Sequence, residues 1–266
     1  ARDGKSNQQT ALLIMAKPNG VIFYRGASVL DGAPIVGIAT LSSSNIKTGP
    51  NGRGNMVQTW ILRADVNPIH ASKNKLDASI CGSCPHRHSL GGACYVNIGQ
   101  APLGIYRAFE RGNYPDYSDS PEAIAAALSG RSVRMGAYGD PAAIPVPVWE
   151  SLLVAADGWT GYTHQSRHPN FDAALLRYCM ASADTPKQAQ KLHDMGARTF
   201  RVKTESAPML LGEIECLSDA KGIKCIDCGL CNGRDNTAPN IVINVHGSRS
   251  TNFERALGGA QLIAVA

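Results

Sequence analysis

Short apolar or alternating runs at residues 11–16, 21–24, 34–41 and 56–63 predict β-strands. Gly and Asn punctuate them at Pro18-Asn19-Gly20, Asp31-Gly32 and Thr48-Gly49-Pro50-Asn51-Gly52, the composition of tight turns. A small antiparallel sheet or set of hairpins follows, with a polar, Gly-rich loop over 42–55. A helix is predicted after Pro102, where Leu103, Tyr106, Ala108 and Phe109 form a stripe that stops at Gly112. A second helix opens at Ser120-Pro121-Glu122 and stops at Gly130.

From Ser132 the pattern alternates. Strands are predicted at 133–138, 159–163, 178–183, 199–202 and 241–245. Helices are predicted at 146–156, 171–178 (with Asn170 as cap), 186–195 (between Thr185 and Gly196) and 253–257. Strands alternating with helices build parallel sheets through right-handed crossovers. A partial TIM-like barrel is favoured over an open doubly wound sheet, because no Gly-rich phosphate fingerprint follows any strand. The expected organisation is an N-terminal antiparallel β-rich segment over 1–75 and an α/β barrel-like domain over 76–266.

In such folds the working face lies at the carboxyl ends of the strands. The residues there are Asp140, His164, Asp184, Lys203 with Glu205, and His246. Nearly every strand ends in an ionisable group, a pattern suited to proton transfer or to binding a polar ligand. Asp140, His164 and Asp184 are the candidate catalytic residues; Tyr162, Lys203 and His246 are candidates for holding a cofactor. Asp140-Pro141 and Asp184-Thr185-Pro186 are equally helix-cap contexts.

Composition adds limits. The 266 residues are 44% apolar and 18% charged, ordinary values for a globular chain. No stretch approaches the ~18 apolar residues of a membrane span, and the polar start followed by the short run at 11–16 gives no signal core. The net charge of +5 tolerates nucleic acid without demanding it. Arg53, Lys73, Lys75, Arg87, Arg107 and Arg111 flank the first cysteine group.

The eight cysteines change the picture most. Cys225-Ile226-Asp227-Cys228-Gly229-Leu230-Cys231 repeats the two-residue gaps with which ferredoxin-type runs wrap a corner of a cuboidal iron–sulfur cluster. Position 235 is Asp, so a fourth ligand must come from elsewhere: Cys216, or one of Cys81, Cys84 and Cys94. The first group, Cys81-Gly82-Ser83-Cys84-Pro85-His86-Arg87-His88 with Cys94, joins three thiols to two imidazoles. Zinc is the rival metal for both groups. Three thiolates alone leave one iron of a cluster open for substrate or S-adenosylmethionine, although the usual radical S-adenosylmethionine spacing is absent from both groups. Cys179, apart from the others, is expected in the core.

These residues together resemble a family. Cys84-Pro85, Cys94-Tyr95-Val96-Asn97, Gly139-Asp140, Gly161-Tyr162-Thr163-His164, Met180-Ala181-Ser182-Ala183-Asp184 and the Cys225–Cys231 run are similar, in that order, to the uncharacterised phage family typified by mycobacteriophage gene product eighty-eight. Asn45-Ile46-Lys47-Thr48-Gly49 fits an upstream motif. The likeness is carried by motifs across roughly residues 45 to 250. Cys81 and the long gap between Cys84 and Cys94 depart from the family pattern. The resemblance implies a virus or mobile-element protein with a metal centre, and brings no established reaction. The expectation is therefore a cytoplasmic iron–sulfur protein, with a [4Fe–4S] cluster and a radical-S-adenosylmethionine-like or redox role at the carboxyl end of a barrel. The alternative is a zinc-stapled nucleic-acid-binding or replication-associated protein without catalysis.

Overall fold

A computed structural model describes residues 18–41, 48–49, 56–234 and 237–257. The strand expected at 11–16 and most of the 42–55 loop, with Asn45, Ile46, Lys47 and Arg53, lie outside that range.

The fold is mixed α/β, with two five-stranded sheets. In the first, β1 (Gly20–Ala27), β2 (Pro34–Thr40) and β3 (Val57–Arg63) are antiparallel neighbours. Beyond Pro34, β2 is buried along its whole length, as an apolar run between two partners should be. A Cβ at Gly37 would stand 2.7 Å from the Phe23 ring, so glycine here lets Phe23 fold over the sheet and meet Trp149 at 5.3 Å.

The chain then runs through α1 (Pro68–Lys73), α2 (Ala78–Cys81), α3 (Ala101–Glu110) and α4 (Pro121–Leu128). It returns in β4 (Ser132–Tyr138), which pairs in parallel with β3. The N-terminal strands thus belong to the sheet that begins the parallel series. After α5 (Val146–Leu153), β5 (Gly158–Thr160) pairs with β4, completing that sheet.

The second sheet is parallel throughout, in the order β6-β7-β8-β10-β9. Its strands β6 (Tyr162–Thr163), β7 (Met180–Ala183), β8 (Thr199–Lys203) and β9 (Glu213–Glu215) come in chain order, with α6 (Pro186–Asp194) between β7 and β8. Then α7 (Leu217–Ala220) and α8 (Cys225–Cys228) precede β10 (Asn240–Asn244), and residues 253–257 are helical. The small side chains of Ala181 and Ala183 let Ala189 and Leu192 of α6 pack on β7. The Thr185 hydroxyl caps α6, accepting from the Gln188 N–H at 3.2 Å, a contact worth about 1 kcal/mol.

Two expectations are refined. The strand predicted at 159–163 is split at Gly161 into β5 and β6, one in each sheet. A Cβ at Gly161 would meet the Cys179 sulfur at 2.7 Å, so the join is made of glycine because the core closes on it. The helix predicted at 171–178 is a 3-10 turn over Ala173–Arg177, capped by Asp172 rather than Asn170. Asn170 instead donates to the Val29 carbonyl at 3.2 Å. Cys179 is buried in the core, as expected. No helix among the described residues is long and apolar enough to cross a membrane.

Candidate functional site

The carboxyl ends of β4, β6 and β7 bring Asp140, His164 and Asp184 into one network. Asp140 is buried, and its carboxylate accepts four hydrogen bonds. One oxygen takes the Thr163 hydroxyl at 2.7 Å and the Ala142 N–H at 3.0 Å; the other takes the His164 N–H at 2.8 Å and the Gln165 side-chain amide at 3.3 Å. Gln165, with no exposure, also holds the first cysteine loop. Its amide donates to the Cys81 carbonyl at 2.8 Å, and its oxygen accepts from the Ser83 N–H at 2.9 Å. Asp140 therefore fixes the backbone that carries His164.

Asp184 is used differently. The cap of α6 is Thr185, so the Asp184 carboxylate is left for the rim. One of its oxygens lies 2.9 Å from His86 Nε2 and 3.5 Å from His164 Nε2. His86 comes from the first cysteine loop. Its ring stacks on Phe253 at 5.3 Å, and its backbone presses so closely on Gly92 that a Cβ there would lie 2.4 Å from the His86 Cα. Among the described residues, His86, His164 and Asp184 form the group of His, Cys, Asp or Glu side chains whose donor atoms all lie within 4.8 Å of one another. Burial alone would push the His164 imidazole down. The Cys84 thiol and the Asp184 carboxylate, acting by charge and polar contact, outweigh it and hold the pKa well above the ordinary value. Against burial, the His164 and His86 imidazoles hold Asp184 well below the usual carboxylate range.

The first cysteine group lies beside this rim, where Cys84 contacts His164. In the first, burial and then the Cys84 and Cys94 thiols push the Cys81 thiol well up, and burial above all lifts Cys94 to about 11. In the second, Cys216 precedes α7, Cys225 and Cys228 bound α8, and the Cys231 carbonyl accepts the Gly161 N–H at 2.9 Å. Burial lifts the Cys231 thiol to about 12; Cys216, Cys225 and Cys228 all add to the rise, while a hydrogen bond from the Tyr162 hydroxyl opposes it. Of the fourth ligands considered, Cys216 is the one whose thiol acts by charge on Cys231, as Cys225 and Cys228 do. All eight cysteines are free thiols.

Tyr162 packs, tilted, against Phe200 at 4.4 Å, and burial pushes its hydroxyl well up. Arg134 on β4 donates to the Tyr95 hydroxyl at 2.7 Å, and it faces Tyr162 and Cys225. Lys203 is buried at the end of β8, its ammonium 3.3 Å from the Thr204 and Glu205 carbonyls. His246 is exposed and lies against Tyr95 at 5.8 Å. His86, Gln165 and Arg134 were not among the rim residues predicted from strand ends. The two-residue gap and paired imidazoles after Cys84 were the one sequence signal for His86.

No family model, no curated protein and no solved structure matches this chain.

Proposed function

We propose that this chain is an iron–sulfur enzyme of phage or mobile-element type, working at the carboxyl ends of a partial barrel, with Cys216, Cys225, Cys228 and Cys231 holding the cluster. The carrying observation is that the Cys231 carbonyl accepts the Gly161 N–H at 2.9 Å and the Cys231 thiol meets the Tyr162 hydroxyl, close after α8, which Cys225 and Cys228 bound, while His164 of the rim lies two residues further along from Tyr162.

The two-residue gaps of Cys225, Cys228 and Cys231 favour an iron–sulfur core over zinc. Such a core supplies one-electron transfer at a potential set by its surroundings. In that role the Tyr162 hydroxyl hydrogen-bonds a ligand sulfur, and the Arg134 guanidinium balances thiolate charge. Binding of S-adenosylmethionine needs an open iron, which the three-thiol set Cys81, Cys84 and Cys94 would offer. The barrel reading is supported by the strand order, which runs through Gly161 from one sheet to the next.

Protein purified without oxygen is expected to absorb broadly near ~400 nm, as thiolate-bound clusters do, and Cys231→Ser is expected to remove that band. Colourless protein carrying stoichiometric zinc would overturn the reading.

One feature favours a second reading, a zinc-stapled nucleic-acid-binding protein. A cavity of about 390 Å³ is lined by Lys73, His88, Arg249 and Asn97, a basic recess suited to phosphate. Salt-dependent retardation of DNA or RNA supports it; no binding at low salt removes it.

A further inference from the structure

We infer that His86, His164 and Asp184 form a separate site for one divalent transition-metal ion, zinc or iron(II), at the mouth of the parallel strands. This site does not depend on the iron–sulfur reading, since none of its donors is a cysteine.

The geometry carries it. Donors bonded to one ion at about 2.0–2.1 Å sit roughly 2.9–3.4 Å apart, whether the ion is octahedral or tetrahedral. The two imidazole nitrogens stand 2.9 and 3.5 Å from one Asp184 oxygen. A structural His–Asp pair needs one imidazole; here two converge on the same oxygen, from segments far apart in sequence. His164 Nε2 is buried, and its 3.5 Å contact with that oxygen is too long for a well-made hydrogen bond. An ion between the three donors satisfies this nitrogen and replaces the proton shared by His86 and Asp184.

The surroundings are built to hold these groups still. Asp140 and Gln165 pin the His164 backbone and the loop bearing His86. Asp77, buried, accepts from the Ser89 hydroxyl at 2.6 Å and from Arg87 at 3.2 Å, fixing the other side of that loop. Phe253 covers the His86 ring. Supporting contacts of this kind orient ligands before the ion arrives. Two imidazoles and one carboxylate leave coordination positions for water or an oxygen-donor substrate.

The test uses the 266-residue protein carrying Cys81→Ser, Cys94→Ser, Cys225→Ser and Cys228→Ser, so that neither thiol group competes for metal. Cobalt(II) added to it is expected to give one equivalent of bound ion with visible d–d absorption. Adding His86→Ala or Asp184→Asn is expected to weaken binding at least tenfold. The same two substitutions in otherwise unaltered protein are expected to leave the ~400 nm band of a thiolate-bound cluster unchanged. Elemental analysis of protein purified without oxygen decides between zinc and iron(II). Should a variant fail to fold, cobalt(II) titration of the folded parent, followed by the imidazole NMR signals of His86 and His164, gives the same answer. No bound cobalt(II), bound cobalt(II) indifferent to these substitutions, or unshifted imidazole signals would overturn the site.

Discussion

Asp140 and Asp184 each end a parallel strand and each precede a proline-opened turn or helix within two residues, yet their carboxylates differ in role. Asp140 is saturated by four donors from Thr163, Ala142, His164 and Gln165. It is a positioning residue. Asp140→Ala leaves these donors unpaired, and is expected to lower unfolding free energy by roughly 3 kcal/mol in denaturant titration, charge-accepting hydrogen bonds being worth about 1.5–3 kcal/mol each. A purely structural role would stop there. Positioning also requires that the His164 ring signals move in NMR spectra, and that Asp140→Asn, which keeps one acceptor, restores part of both effects. The strand-end pattern made both aspartates legible as candidates. It could not separate them, because which one the cap consumes depends on Thr185 and on side chains arriving from other strands. His86 was less legible still. Its place is set by Asp77, Gln165 and Phe253, contacts that no local period encodes.

Among the elements, the strand–helix rhythm after Ser132 was readable because apolar runs are bounded by caps and glycines. The cysteine-rich stretch between β8 and β10 was not. Its short elements β9, α7 and α8 are held by long-range pairing and by side chains, not by propensity. One such tie is the pair between Arg201 of β8 and Glu213 of β9, with contacts of 2.6 Å and almost no exposure. Burial would raise the Glu213 carboxyl; the Arg201 guanidinium and the Leu210 N–H outweigh it and hold it below the ordinary value. A lowered carboxyl pKa contributes stability above its unfolded value, and that stability is lost as pH falls through the folded one. Unfolding midpoints are therefore expected to fall below about pH 4, and to fall less in the Arg201→Met, Glu213→Leu double variant. Arg201→Met alone strands a buried carboxylate and is expected to cost about 3–5 kcal/mol. Equal pH profiles for parent and double variant would refute this assignment.

At the scale of the whole molecule, one short strand separates the two thiol groups. Tyr162 at its start reaches Cys231, and His164 just past its end lies beside Cys84. Two residues of extended chain span about 6.6 Å, so an inorganic core on one side and an ion on the other would be close neighbours. The residue before Tyr162 is the glycine at which one sheet hands over to the next, and its N–H is bonded to the Cys231 carbonyl. That bond, with the one from Arg198 to the Asn232 carbonyl at 2.7 Å, pegs the cysteine loop into the joint of the scaffold. If that loop holds iron as proposed, stripping the iron does more than bleach the protein: the loop is expected to slip its peg, and limited proteolysis to nick the chain between residues 216 and 234 before it cuts anywhere else. Cleavage unchanged by chelation would mean that the joint stays fastened whatever the loop holds.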